Sequence, residues 1–202
     1  MVSGATTTIA DCQDNENLGV LIGPRKTNSI DKVLATGLPW AADNDCFNTY
    51  NPELYCRLLQ RITGKVRLLF ITAPDVVANA EQTLRRFYLW EPVILSYNLP
   101  IAFVGQDGIT DNPIPWDRFD AFFLGGSTEW KLSDEAAALV LYAKSLGKWV
   151  HMGRVNSQRR LRYAMSIGCD SVDGTGYSKF QYKIHRDLKF ISYNERQTCL
   201  FA

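Results

Sequence analysis

Short, nearly continuous apolar runs alternate along this chain with segments whose apolar residues recur at helical spacing. Residues 18–22 read as a strand ending at Gly23-Pro24, and 38–42 run into the polar cluster Asp43-Asn44-Asp45. Residues 52–62 read as a helix, with Pro52 in its first turn and Gly64 as its stop. The run 66–72 is a predicted buried strand broken by Ala73-Pro74-Asp75, followed by a helix over 79–90 that ends before Pro92. Strands follow at 101–104, ending in Gly105-Gln106-Asp107-Gly108, and at 121–124, ending in Gly125-Gly126. Ser133 caps a helix to 146, and residues 148–152 form the sixth strand, ending at Gly153-Arg154. A helix over 157–167 leads to the seventh strand, 169–172, which ends at Asp173-Gly174, and 189–192 read as a further short strand piece.

Strands of this kind, apolar on both faces and separated by helices, predict a parallel sheet. A (β/α)₈ barrel and an open doubly wound sheet both fit the alternation. In either arrangement the C-terminal strand ends gather at one site. Asp43, Asp75, Gln106, Gly126, His151 with Arg154, and Asp173 all fall at or just past such ends. Each has an ordinary alternative. The aspartates can cap turns, Gln106-Asp107-Gly108 and Asp173-Gly174 have plain turn chemistry, and His151 can be a satisfied core histidine. Their common position is what marks them as one polar pocket.

Length narrows the reading to one domain, because 202 residues are near the lower limit of about 200 for a barrel. Its helices and loops must then be trimmed. Residues 1–17 are polar and read as a loose arm, with a single domain over 18–202. The net charge of +1 gives no global attraction to nucleic acid, so any such binding needs a local patch. Arg154, Arg159, Arg160 and Arg162 around one helix start are a candidate phosphate site, with a solvated helix face as the alternative. Downstream, Lys179, Lys183, Arg186 and Lys189 are interleaved with Tyr177, Phe180 and Tyr182, a pattern that suits unstacked bases. Five cysteines without a CxxC pair, no signal-peptide pattern and no apolar run of about 20 residues predict a cytoplasmic protein. No glycine motif for nucleotide phosphates is present, and no cofactor is expected.

Residues 150–175, VHMGRVNSQRRLRYAMSIGCDSVDGT, resemble the closing βαβ unit of the tRNA-guanine transglycosylase superfamily. In that family a strand ending in Met-Gly is followed by a helix and an Asp-x-Phe-Asp strand end that carries the nucleophile. Asp170-Ser171-Val172-Asp173 stands in that place, which implies that Asp173 is the nucleophile. Residues 42–47 resemble Thr-Asp-Ser-Gly-Gly-Phe, so the resemblance makes Asp43 a base-reading carboxylate and Phe47 an aromatic face for the base. Asp75 falls where a second base-reading aspartate belongs. Residues 104–108 resemble Val-Gln-Gly-Gly and 124–126 resemble Val-Gly-Gly. These imply that Gln106 and the backbone of Gly125-Gly126 read the base carbonyl, with Met152 covering the opposite base face. The likeness spans about 18–176.

Two departures refine the expectation. Asp45 and Cys46 replace two glycines, and after the nucleophile only Cys199 and His185 remain where family members cluster zinc ligands, so no metal is expected. The short, zinc-free form resembles phage-associated relatives that insert 7-deazaguanines into DNA. The implied architecture is a compact TIM-type (β/α)₈ barrel without a zinc subdomain. The implied partners are DNA, rather than RNA, and guanine or a 7-deazaguanine, in a bacterial or phage-infected cytoplasm. A DNA glycosylase that uses water, or a non-catalytic deazapurine- or nucleotide-binding module, would use the same pocket.

Overall fold

The computed structural model describes residues 2–3, 14–25 and 30–200. Eight strands pair side by side in chain order, and every pairing is parallel. They are β1 (Val2–Ser3), β2 (Gly19–Ile22), β3 (Trp40–Ala42), β4 (Leu68–Thr72), β5 (Ile101–Gly105), β6 (Ala121–Leu124), β7 (Trp149–Met152) and β8 (Ser171–Val172). The order never reverses, so the sheet lacks the switch point that defines a doubly wound fold. It is an α/β sheet of the TIM-like kind, flanked by helices. Among the described residues no strand pairing joins β8 back to β1.

The helices are α1 (Ile30–Ala35), α2 (Pro52–Ile62), α3 (Ala80–Ser96), α4 (Thr128–Lys131), α5 (Asp134–Ser145), α6 (Gln158–Ser166), α7 (Thr175–Lys179) and α8 (Gln181–Leu200). Polar residues start five of them. Side chains of Asn51, Asn79, Ser127, Ser133 and Ser157 accept from backbone N–H groups one turn on. Each such cap contributes about 1 kcal/mol.

Strand side chains divide between two layers. Ala41, Phe70, Ala102 and Ala121 form a small inner cluster with Phe123 and Trp149 packed on it. Val150, Met152, Phe122 and Leu124 belong to the larger core shared with helix residues such as Leu58, Phe87, Val140 and Leu161. Strands β2 to β7 are therefore packed on both faces, which is why they read as unbroken apolar runs.

Three expectations need correction. The helix after Asp75 does not stop before Pro92 but runs through it to Ser96. Proline removes one backbone bond, yet Tyr88, which loses it, is exposed, while Glu91 just before the proline and Ile94 just after it are buried. Arg118 grips Glu91 through two bonds of 2.8 and 2.6 Å, anchoring that last stretch. Residues 189–192 are not a strand but lie inside α8, where Ile184 and Leu188 repeat at helical spacing. Within the predicted loose arm, Val2–Ser3 pair with Gly19–Val20 as β1, and residues 4–13 lie outside those described. No helix among the described residues is long and apolar enough to cross a membrane.

Candidate active site

A cleft opens at the C-terminal strand ends. Its inner part, about 80 Å³, is lined by Asp43, Phe47, Thr72, Asp75, Gln106, Gly125, Gly126, Arg154 and Asp173, with Asn44, Val77, Val104, Phe123 and Gly153. An outer part of about 620 Å³ shares Asp43, Phe47, Arg154 and Asp173 with it and extends past Gly23, Arg25 and Asp45 to Thr175. Eight of the residues singled out in the sequence therefore meet in one place. Another cavity, about 350 Å³, lies at the opposite strand ends against Leu18, Leu69, Trp149 and Val172, and it is mostly apolar.

The wall above β4, β5 and β6 is a closed hydrogen-bond network. Asp75 is buried, and its two carboxylate oxygens accept from Asn44 Nδ2 at 2.8 Å and Gln106 Nε2 at 2.5 Å. Asn44 Nδ2 also donates to the Ala73 carbonyl, and its Oδ1 accepts from the Cys46 N–H. Gln106 Oε1 accepts from the N–H groups of Ala78 and Gly126, each at 2.9 Å. Two donors fix the oxygen end of that amide, so Nε2 must face Asp75. Burial raises the Asp75 pKa, with the Asn44 bond working against the shift.

The glycines here have steric reasons. A Cβ on Gly125 would sit 2.6 Å from Val104 Cγ1 and 3.0 Å from Gln106 Nε2. Gly126 has φ 64°, and a Cβ there would meet the Trp130 ring at 2.6 Å. The Gly126 N–H expected to read a base carbonyl is instead bonded to Gln106. Gln106 likewise spends its carbonyl within the wall, leaving its second Nε2 hydrogen for any ligand. Thr72 Oγ1, also on the lining, is buried and has no hydrogen-bond partner among the described residues.

The wall above β3, β7 and β8 holds charge. Asp43 accepts from the Asn44 N–H at 2.8 Å, and its pKa is pushed up to about 7 by burial and then by the charge of Asp173. Asp173 Oδ1 accepts from the Arg154 N–H at 2.7 Å and stands 3.5 Å from His151 Nε2. Burial opposes the Asp173 charge, yet His151, the Arg154 N–H and Lys131 outweigh it and hold the pKa below the usual carboxylate range. Arg154 itself has φ 61°, a conformation that costs a non-glycine residue roughly 1 kcal/mol. Its guanidinium bonds the Gly126 carbonyl and lies 4.7 Å from the centre of the exposed Phe47 ring.

Lys131 is a site residue that the sequence does not betray. It sits in a four-residue helix, is buried, and its Nζ donates to the Gly153 carbonyl at 2.6 Å. Burial and then Arg154 push its pKa down to about 8, while Asp173 pulls the other way. Nothing in its local sequence separates it from a surface lysine.

Other expected residues lie elsewhere. Met152 packs in the core on the helix side and is not part of the cleft lining. Side chains alternate along β7, so with His151 turned inward against Phe70 and Phe123, its neighbour must face outward. The four arginines do not form one cluster. Arg160 Nη1 reaches the Arg154 carbonyl at 3.5 Å, Arg159 is exposed, and Arg162 lies over the Phe190 ring of α8. Residues 160 and 162 project to different sides of α6, so they cannot share one phosphate. Of the downstream aromatics Tyr177 is buried and bonds Asp187, whereas Phe180 and Tyr182 are exposed beside Lys183. Among the described residues no group of three or more His, Cys, Asp or Glu could hold a metal.

No protein-family model matches the chain, and no curated protein matches it. Solved structures give distant likenesses. A glycerol uptake operon antiterminator regulatory protein from Listeria monocytogenes is 10% identical, with 85% of this chain and 88% of that one covered and a TM-score of 0.48. The PaMucR phosphodiesterase in complex with c-di-GMP is 10% identical over 76% of this chain and 65% of its own, TM-score 0.44. Klebsiella pneumoniae BlrP1, in a calcium and cy-diGMP complex, is 12% identical over 84% and 40%, TM-score 0.36. The chain thus spans under two thirds of the length of both c-di-GMP proteins. At these scores the likenesses carry no argument about activity, and none of the three proteins is a transglycosylase.

Proposed function

We propose that this protein is a guanine transglycosylase that replaces guanine in DNA with a 7-deazaguanine through a covalent Asp173 intermediate. The reading includes the architecture: a trimmed TIM-type barrel without a zinc subdomain, with the site at its C-terminal strand ends. The observation that carries it is the meeting of Asp43 and Asp173, two carboxylates in opposite electrostatic settings, with Asp75, Gln106 and Phe47 around one cleft. Environments that push two carboxyl groups apart are how a site divides the roles of nucleophile and acid–base catalyst.

Asp173, held as a carboxylate, attacks C1′ of the target nucleotide. The C1′–N9 bond breaks, its electron pair leaves with guanine, and Asp43, near pKa 7, supplies the proton. A 7-deazaguanine then enters. Its N9 bonds C1′ and displaces Asp173, and its N9 proton returns to Asp43, so the cycle balances. Asp75 still has lone pairs for the N1–H and amino group of a guanine-like base, and Gln106 Nε2 has a hydrogen for its carbonyl. Arg154 lines both parts of the cleft and is the cation placed to meet a phosphate of an extruded nucleotide.

The test incubates the protein with radiolabelled guanine and with candidate 7-deazaguanines, on duplex DNA and on tRNA, followed by nucleoside digestion and mass spectrometry. Base exchange in DNA is expected, with at least about a thousandfold loss in Asp173→Asn. Full exchange in that variant would remove Asp173 from the mechanism. Exchange confined to tRNA would replace the polymer assignment. Free base with abasic DNA, without any added acceptor, would replace exchange by hydrolysis. Tight base binding with no turnover on either polymer would leave a binding module.

A further inference from the structure

The steps above use Asp173 but give no part to His151, which is wholly buried on the inner side of β7 between Phe70 and Phe123. Its Nδ1 is 2.8 Å from Ser171 Oγ, and the same oxygen accepts the indole N–H of Trp149 at 2.8 Å. Indole nitrogen can only donate, so it fills one lone pair of Ser171. The hydroxyl hydrogen of Ser171 then goes to His151 Nδ1, the other partner of that oxygen among the described residues. Nδ1 is thereby an acceptor, and the ring hydrogen sits on Nε2. Nε2 is buried and faces Asp173 Oδ1 at 3.5 Å, with no closer hydrogen-bond partner among the described residues. On its other side Oδ1 takes the Arg154 N–H, while no described residue hydrogen-bonds Oδ2.

We infer that Trp149, Ser171 and His151 form a positioning chain that holds an N–H against Oδ1 of Asp173, so that Oδ2 is the oxygen presented to the substrate carbon. The chain of bonds stands on the geometry alone, and its catalytic consequence rests on Asp173 being the nucleophile. Other charged or titratable groups also face Asp173: Asp43 beyond β3, Lys131 on α4, Arg154 after β7 and Tyr177 on α7. The variants must therefore leave all four in place.

The experiment is NMR on the full chain labelled in histidine nitrogen and aspartate carboxyl carbon. At pH 8 the wild-type ring is expected as the Nε2–H form, and Ser171→Ala is expected to give a mixture of the two forms. The Asp173 carboxyl should titrate higher in His151→Phe, and at the wild-type midpoint in His151→Gln, whose amide N–H can take the place of Nε2–H. A wild-type Nδ1–H form would overturn the inference, as would identical Asp173 midpoints in wild type and His151→Phe. Should His151→Phe fail to fold, Ser171→Ala keeps the ring and carries the test through the tautomer. In exchange assays Ser171→Ala is expected to lower kcat about tenfold at unchanged KM, the size of one bond to a charged group. A protein with no exchange in any form removes the transglycosylase reading, and the NMR results still decide the chain of bonds.

Discussion

Where the strands β4, β5 and β6 end, the polar groups of the cleft close on one another; where β3, β7 and β8 end, like charges are held side by side. On the first wall Asp75, Asn44, Gln106 and Gly126 satisfy each other before any ligand arrives. On the second, Asp43 faces Asp173, Lys131 faces Arg154, and His151 Nε2 stands 3.5 Å from Asp173 Oδ1. A satisfied network fixes shape, because an unpaired buried group costs far more than a pair gains. A strained set of charges fixes protonation states instead. The contrast suits a base exchange site, which needs one rigid edge for recognition and one reactive edge for the sugar.

The largest effects on each wall should therefore be of different kinds. Asp173→Asn acts mainly on rate, with a modest loss of stability near neutral pH, because the groups that keep its carboxylate charged also favour the fold. Gln106→Leu acts on stability, because it strands the Ala78 and Gly126 N–H groups and one oxygen of Asp75. A loss of about 3 kcal/mol in chemical denaturation is expected. If Gln106→Leu unfolds at the wild-type denaturant midpoint, the first wall is not the closed network described here.

Asp43→Asn should reverse the usual direction, through pH. Its carboxyl has a folded pKa of about 7 against 3.8 ordinarily, so the folded protein holds a proton that the unfolded chain has lost between those values. Wild-type stability must then fall as pH rises from about 4 to about 7 and stay lower above that. The variant escapes this. It is expected to match the wild type at pH 4 and to exceed it at pH 8 by on the order of 2 kcal/mol, since partial exposure dilutes the effect. Equal stability at both pH values would mean that neither burial nor the Asp173 charge presses on Asp43, and the two walls would differ less than their geometry suggests.

The walls were not equally legible in the sequence. The strands β2 to β7 follow from apolar runs, and the pocket follows from polar residues that come just after them. Which way each side chain turns was decided by the pleat, which places His151 inward and Met152 outward, and a run of four apolar-looking positions carries no such label. The strained wall depends on Lys131, brought to Gly153 and Arg154 by a short helix that no periodicity marks. The arginines show the same limit: their spacing along α6 separates Arg160 from Arg162, although the text of the sequence shows them together. The bonds of Gln106 to Ala78 and Gly126 span 28 and 20 residues, so no local pattern contains them.

The smallest effect sharpens the comparison at the mouth, where the two walls share Phe47 and Arg154. The Phe47 ring is 61% exposed, so its removal leaves no core cavity and should change stability by less than about 0.5 kcal/mol. Its guanidinium contact with Arg154 lies on the lining shared by the inner and outer parts of the cleft. A base stacked on the ring would replace the guanidinium there. Phe47→Ala loses the aromatic face but also frees Arg154, so the net effect is modest. Calorimetry with guanine is expected to show binding weakened about fivefold, roughly 1 kcal/mol. In exchange assays kcat should hold while KM for the base rises, because stacking grips the base equally before and during reaction. Unchanged affinity would make Phe47 a cover for Arg154 alone, and a fall in kcat would place it with the reactive wall instead.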